Sequence, residues 1–436
     1  MTQHFKTTQQ GVAVSGATEF LGYTQLENTS VVQAIIKEGK LADSIDVGDE
    51  AIVVLAQSSF YGESGGQVGD SGLLSNTKIS FEVNNTQKQK SGAFEHHGTL
   101  NSGVLKVGDT VSASVDKNRR KRIARNHSAT HLLHAALRTV LGETVTQKGS
   151  LVDSDKLRFD FSHDEVIAKA DLDKIEGMVN RKILGNTKVY TDVTDIETAK
   201  KNGAMALFGE KYGNTVRVLT MGKDDFSVEL CGGTHVERLG DIGLFRITSE
   251  GGIAAGVRRI EAMTGYDAYQ FDNQTQDNLS EIAHMTKSSN AQVVEKVTQL
   301  VKQQKELEKQ ISSFQKQLAS NQGDDLVNQA QEVNGVKLLS TIVKGVSGKD
   351  LRDIADKLKD KLGSAIVVLA AISGDKVSLV AGVTKDLTDK YQAGNILNHV
   401  AQQVGGKGGG RADMAQGGGT QPENIVEALA SVKDFL

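Results

Sequence analysis

Only one cysteine occurs in the 436 residues, and it stands in Cys231-Gly-Gly-Thr-His235, with three residues between it and a histidine. A second pair with the same spacing, His127-x-x-x-His131, lies roughly 100 residues earlier. On a helix, positions i and i+4 share one face about one turn apart. Two such pairs offer three imidazoles and one thiolate, the donor set of a tetrahedral Zn2+ site. A site of that kind pins two distant segments together, so the chain between them must fold back on itself. Taken singly, these residues read as incidental helix histidines and a buried apolar cysteine. The pairing around the only cysteine favours one Zn2+ per chain, held by His127, His131, Cys231 and His235, with the thiol bound as thiolate. His134 lies on the same helix face within an apolar LLHAAL context and reads as a core histidine. Ser128 stands where an HExxH motif would carry its glutamate, which argues against a metalloprotease.

Flanking this pattern, the chain changes texture three times. From about residue 12 to 115, runs such as Glu50-AIVVLAQ and Ile79-SFEV cluster or alternate β-branched residues between Gly-rich turns. These predict short strands closing a small barrel or sandwich, assigned to residues 1–115 as a β-barrel. Residues 116–265 read as an α+β domain that would hold the zinc: a helix through Asn126-HSATHLLHAALRTVLG stopping at Gly142, then strands and helices in mixture. Residues 266–332 are assigned as a helical linker, and from Asp277 to Asn321 the composition becomes rich in Gln, Lys and Glu. Val293, Val297, Leu300, Gln304, Leu307, Ile311, Phe314 and Leu318 form a heptad seam with one polar member. That seam predicts an antiparallel helical hairpin over 277–321 acting as a spacer, with an intermolecular coiled coil as the other reading. Residues 333–436 alternate strands and helices as a C-terminal α/β domain, interrupted by a Gly-rich loop.

Two basic features stand out against a formal net charge of −4. Lys117, Arg119, Arg120, Lys121, Arg122 and Arg125 crowd into nine residues just before the expected metal helix. Such a run is either a solvated helix face or a grip for RNA phosphates. The stretch Gly405-GKGGGRADMAQGGG places Lys407 and Arg411 among eight glycines in fifteen residues. It lacks the GK[ST] ending of a Walker loop. It reads as a pliable loop able to approach a sugar-phosphate surface, or as a hinge. A single cysteine excludes an intrachain disulfide and fits a reducing, cytoplasmic setting. The longest apolar run, Ala365 to Ile372, is far short of the ~20 residues of a membrane helix, so no membrane partner is expected, and no DNA partner either.

Together, Phe60-YGESGGQVGD, Arg125-NHSATHLLHAALR, Gln147-KGSLV, Leu157-RFDFSH, Ala204-MALFGEKY, Glu229-LCGGTHV, Gly256-VRRIEA and Gly406-KGGGRADMAQGGG closely resemble the C-terminal half of the alanyl-tRNA synthetases. The resemblance covers nearly the whole chain. It implies an editing domain that hydrolyses the ester of wrongly attached serine or glycine on alanine tRNA, followed by a DHH-associated domain contacting the tRNA elbow. His127, His131, Cys231 and His235 match the family's zinc ligands, and Thr130 and Gln147 match positions lining its amino-acid pocket. Lys117, Arg119, Arg120, Arg122, Arg125, Lys407 and Arg411 are the expected tRNA contacts. A homodimer through the C-terminal region is the expected assembly. The family's ATP-binding aminoacylation domain has no counterpart upstream of the barrel, so the chain is expected to edit and not to charge tRNA. The rival reading is a non-catalytic tRNA-binding or dimerisation module with a structural zinc.

Overall fold

A computed structural model describes residues 16–205 and 213–436, apart from the side chains of 315–324. Most of the Ala204-MALFGEKY stretch, from residue 206, and the Leu318 side chain therefore lie outside the described residues. By their contacts the residues divide into two compact units, 1–278 and 279–436.

The first unit opens with six antiparallel strands: β1 (Glu27–Lys37), β2 (Glu50–Leu55), β3 (Gly72–Ser75), β4 (Ser80–Lys88), β5 (Phe94–Ser102) and β6 (Thr110–Val115). They pair in the order β6-β3-β4-β5-β2-β1, and β1 returns to β6, closing a barrel. Alternate residues along β6 (Val111, Ala113, Val115) point inward and are buried, the period-2 signature of a strand with one face on a core. Ile35, Val53, Leu74, Phe81 and Leu100 complete the interior. Closure leaves these strands without a free edge between them.

Asp116 then starts α1 (Lys117–Leu141), its carboxylate accepting from Asn118 N and Arg119 N at 2.9 and 3.0 Å. Gly142, at φ 107°, ends it. From Ile123 to Leu137 the helix is buried almost all round. It lies between α2 (Lys169–Leu184) and an antiparallel sheet of β7 (Gln147–Val152), β8 (Leu157–Ser162), β12 (Phe245–Ala254) and β13 (Val257–Thr264), ordered β7-β8-β13-β12. A separate three-stranded sheet, β9 (Tyr190–Asp195), β10 (Thr215–Met221) and β11 (Ser227–Leu230), delivers the cysteine loop. Several motif residues prove to be sheet clamps. Arg259 grips Asp160 at 2.7 and 2.8 Å, and Arg258 grips Glu250 across β12 and β13.

Two helices follow, α3 (Gly265–Met285) and α4 (Val293–Val327). An antiparallel hairpin is expected over 277–321, a span that holds the end of α3, a short connection and most of α4. The chain breaks at 286–292, where Lys287 takes φ 52° and Ser288, Ser289 and Asn290 bond locally. The heptad residues Val297, Leu300, Gln304, Leu307, Ile311 and Phe314 are exposed, and only Val293 is buried at the start. Spacing defines an apolar stripe, which stands exposed along the described part of α4.

The second unit carries a six-stranded sheet. Its main strands are β14 (Val336–Ile342), β15 (Ala365–Ser373), β16 (Lys376–Val383), β17 (Lys407–Gly410) and β18 (Met414–Gly419), with Gln331–Val333 on the outer edge of β14. β14 and β15 run parallel, joined through α5 (Asp350–Leu362), and the remaining pairs are antiparallel. Ala365–Ala371 is buried on both faces, with α5 on one side and α6 (Ala393–Gln403) on the other. The Gly-rich stretch is corrected from a pliable loop to the strand pair β17–β18. Its glycines serve close packing: a Cβ on Gly417 would stand 2.6 Å from Gly408 Cα, and one on Gly408 would stand 2.6 Å from Leu397 of α6.

Candidate metal centre

His127 and His131 lie one turn apart on α1, inside the first unit, because buried positions 120, 124, 127 and 131 follow one helical stripe. Cys231 and His235 sit on the loop leaving β11. The four candidate ligand atoms all lie within 4.8 Å of one another. Cys231 Sγ is 3.4 Å from His127 Nε2 and 3.3 Å from His235 Nε2. Tetrahedral zinc, with Zn–N near 2.0–2.1 Å and Zn–S near 2.3 Å, requires edges of about 3.3–3.6 Å. His131 Nε2, buried, has no hydrogen-bond partner among the described residues, an orphaned donor atom of the kind a metal ion would satisfy. The donor set thus fits Zn2+.

The remaining ring nitrogens are all engaged. His127 Nδ1 lies 2.7 Å from Gln67 Oε1, His131 Nδ1 2.6 Å from Glu229 Oε2, and His235 Nδ1 3.3 Å from Ser128 Oγ. Outer partners of this type orient metal-binding imidazoles. Glu229 also receives His134 Nδ1 at 3.0 Å. Burial opposes charge on Glu229, yet facing His131 holds its pKa at about 2. Burial likewise opposes charge on His131, but Glu229 and Cys231 hold it up at about 10. Burial favours the Cys231 thiol, and the three imidazoles overcome it, holding the group well below the usual thiol range. Burial pushes His235 down to about 3, with His127 adding to the effect. The centre therefore combines an anionic sulfur with a backing carboxylate, a field that favours a cation among the four donors.

Thr130, buried on α1, donates from its hydroxyl to Asn126 O at 2.8 Å. Gln147 begins β7, half-buried, opposite Phe161. The basic run divides. Arg120 is corrected from a phosphate contact to a buried ion-pair partner of Asp70, with further bonds to Gly22 O and Ser59 O at 2.8 Å each. Helical spacing puts it on the stripe that leads to His127, which is why it turns inward. Arg119 reaches Gly69 O, Arg122 pairs with Asp155 and Asp267, and Arg125 reaches Asp241 O. Lys117 and Lys121 are exposed. Lys407 and Arg411 are exposed on and beside β17, with Arg411 Nε 3.6 Å from Asp413.

A cleft of about 620 Å3 opens beside His235, between the segment Gly22–Leu26 and α1. Lys121, Arg125 and Arg217 line it. Arg217 stacks on the Tyr23 ring, 3.7 Å from its centroid, and donates to Gly233 O at 2.8 Å, while Tyr23 Oη donates to Gly232 O at 2.6 Å. Motif spacing marks the four candidate ligands but not Gln67, Glu229, Tyr23 and Arg217. Gln67 lies in Phe60-YGESGGQVGD and Glu229 opens Glu229-LCGGTHV, but nothing in their spacing ties them to the candidate ligands.

Residues 2–119 match the family described as tRNA synthetases class II (A), 216–261 the Threonyl and Alanyl tRNA synthetase second additional domain, and 335–436 the DHHA1 domain. An alanine–tRNA ligase of Ruthia magnifica subsp. Calyptogena magnifica is 74% identical over 432 residues, 99% of this chain and 50% of that one. The chain belongs to the alanyl-tRNA synthetase family. The alanine–tRNA ligase of Haemophilus influenzae (strain 86-028NP) is 50% identical over 98% of this chain and 48% of its own. The chain thus spans about half the length of the curated relatives it matches. The solved C-Ala domain of Aquifex aeolicus alanyl-tRNA synthetase is 35% identical, covering 24% of this chain and 96% of that one, with a TM-score of 0.24. No helix among the described residues is long and apolar enough to cross a membrane.

Proposed function

We propose that this chain carries the proofreading activity of an alanine–tRNA ligase, removing serine or glycine esterified to the 3′ end of alanine tRNA. The observation that carries the reading is the convergence of His127, His131, Cys231 and His235 within 4.8 Å beside a cation-lined cleft, in a chain with a family match across that loop. The reaction adds water across the ester: the water oxygen bonds to the carbonyl carbon, the bond to the ribose oxygen breaks, and that oxygen takes the proton. When bound, Zn2+ supplies fixed positive charge that orders its four ligands and the chain around them.

Selection falls to the chain's own groups. Serine and alanine differ by one hydroxyl, which a synthetic pocket rejects poorly, so a second site is needed. Thr130 has committed its proton to Asn126 O and keeps lone pairs able to accept from a serine hydroxyl. An alanyl ester offers no such donor. Gln147 is assigned to the same pocket, and Lys121, Arg125 and Arg217 to the phosphates of the incoming 3′ end. Single-turnover deacylation of Ser-tRNA(Ala) tests the reading: the whole chain should release serine far faster than buffer and leave Ala-tRNA(Ala) largely intact. An ester lifetime equal to that in buffer would establish the non-catalytic binding module instead.

A further inference from the structure

The stretch Phe60-YGESGGQVGD has no task in that reading, yet its Gln67 is completely buried against the candidate metal ligands. Gln67 lies on the barrel loop between β2 and β3. Its backbone is anchored to the end of β7, with Val68 N donating to Val152 O at 3.1 Å and Val152 N donating to Gly66 O at 2.7 Å. Its side chain leaves the barrel altogether. Oε1 lies 2.9 Å from Thr234 N and 2.7 Å from His127 Nδ1, while Nε2 donates to Thr234 Oγ1 at 3.0 Å.

Those contacts determine a proton position. A backbone N–H can only donate, so the atom facing Thr234 N is the amide oxygen. An amide oxygen can only accept, so His127 Nδ1 carries the hydrogen. In a neutral imidazole the other nitrogen then holds a free lone pair, and that nitrogen, Nε2, faces Cys231 Sγ at 3.4 Å. The same amide holds the loop between the ligands Cys231 and His235 through Thr234 N and Thr234 Oγ1. Space is equally exact at Gly233, where a Cβ would overlap the His127 ring and stand 2.8 Å from Gln67 Oε1.

We infer that Gln67 is a positioning residue of the metal centre, setting the tautomer of His127 and clamping the cysteine loop, so that the barrel is a working part of the site. The inference rests on the metal reading above. Three residues on, Asp70 accepts from Arg120 Nε at 2.9 and 3.0 Å and from Tyr61 N at 2.6 Å. Arg120 precedes His127 by two helical turns. One barrel loop therefore holds α1 through Asp70 and the cysteine loop through Gln67, and so holds both ligand pairs in register.

Zinc affinity of the whole chain, measured by competition with a chromophoric chelator, tests this, with the Co2+ spectrum as a second readout. Gln67→Met keeps the side-chain length but removes the acceptor, and should weaken zinc binding about 10–100-fold. Gln67→Glu still accepts from His127 Nδ1 and Thr234 N, and should retain most of the affinity and a wild-type Co2+ spectrum. Wild-type affinity in the Met variant, or equal loss in both variants, would overturn the inference. If the Met variant does not fold, 15N spectra of the zinc-loaded wild type decide: a proton on His127 Nδ1 supports it and a proton on Nε2 overturns it. A wild-type chain that binds no zinc refutes the metal reading itself. A zinc-loaded chain indifferent to Gln67 refutes only the present step.

Discussion

Each histidine of the centre presents one nitrogen to the shared space and the other to a different element: Gln67 from the barrel, Glu229 from β11 and Ser128 from α1. This division explains why the ligands were legible in the sequence and their supports were not. Ligands on one helix or one short loop obey a local spacing, whereas Gln67 and His127 are 60 residues apart and meet only through packing. Removing one member from each pair should abolish the site. The double variant His131→Ala, Cys231→Ala should carry essentially no zinc by metal analysis, against one per chain in the wild type. Stoichiometric zinc in that variant would remove the assignment. Arg120 teaches the converse lesson. Charge density placed it on the RNA, while its helical phase, shared with buried Ala124 and His127, already placed it inside.

At the scale of elements, the barrel holds a histidine outside the metal centre. His96, on β5, lies between Ser58 Oγ at 2.8 Å and Val53 O at 2.9 Å, and burial first, with neighbouring His97 adding, lowers its pKa to about 4. Its carbonyl partner requires the neutral ring to donate from Nδ1, leaving Nε2 to accept from Ser58. The unfolded chain, with an ordinary pKa of 6.5, takes up a proton that the folded barrel refuses between about pH 6.5 and 4. Stability should therefore fall as the pH drops through that window, by up to about 3 kcal/mol at 1.36 kcal/mol per unit. Urea midpoints for the wild type and His96→Gln across pH 7 to 4 check it. The variant should begin lower and fall less steeply, and parallel curves would contradict the argument. Elements also account for the Gly-rich stretch. Eight glycines read as pliability until α6 is seen packed against β17 and β18, where backbone stands in place of side chains.

At the scale of the whole molecule, the proposed proofreading role gives the second compact unit a task as a second attachment to the tRNA. The 3′ end is common to all tRNAs, and phosphate contacts position without specifying. A second, weak contact in the DHHA1 unit would then raise capture through effective concentration. Lys407 and Arg411 are its candidate cations. Lys407→Glu, Arg411→Glu should raise the enzyme concentration for half-saturation in single-turnover deacylation of Ser-tRNA(Ala) and reduce its salt dependence. The rate at saturation should stay the same, because the metal centre is untouched. An unchanged half-saturation point would show that these two residues take no part in capture.

Strand alternation, the Gly142 stop of α1 and the two ligand pairs were determined by the sequence alone, because each rests on residues within a few positions of one another. The individual strands and the mixed α+β elements around the candidate ligands follow from such local patterns, whereas closure of the barrel pairs β1 with the distant β6. Tertiary structure alone decided which charges turned inward, whether the seam on α4 found a cover, and whether the Gly-rich stretch was loop or strand. It also decided that a barrel glutamine would complete the surroundings of His127. Those outcomes depend on what packs against a residue from far along the chain, and spacing carries no record of that partner.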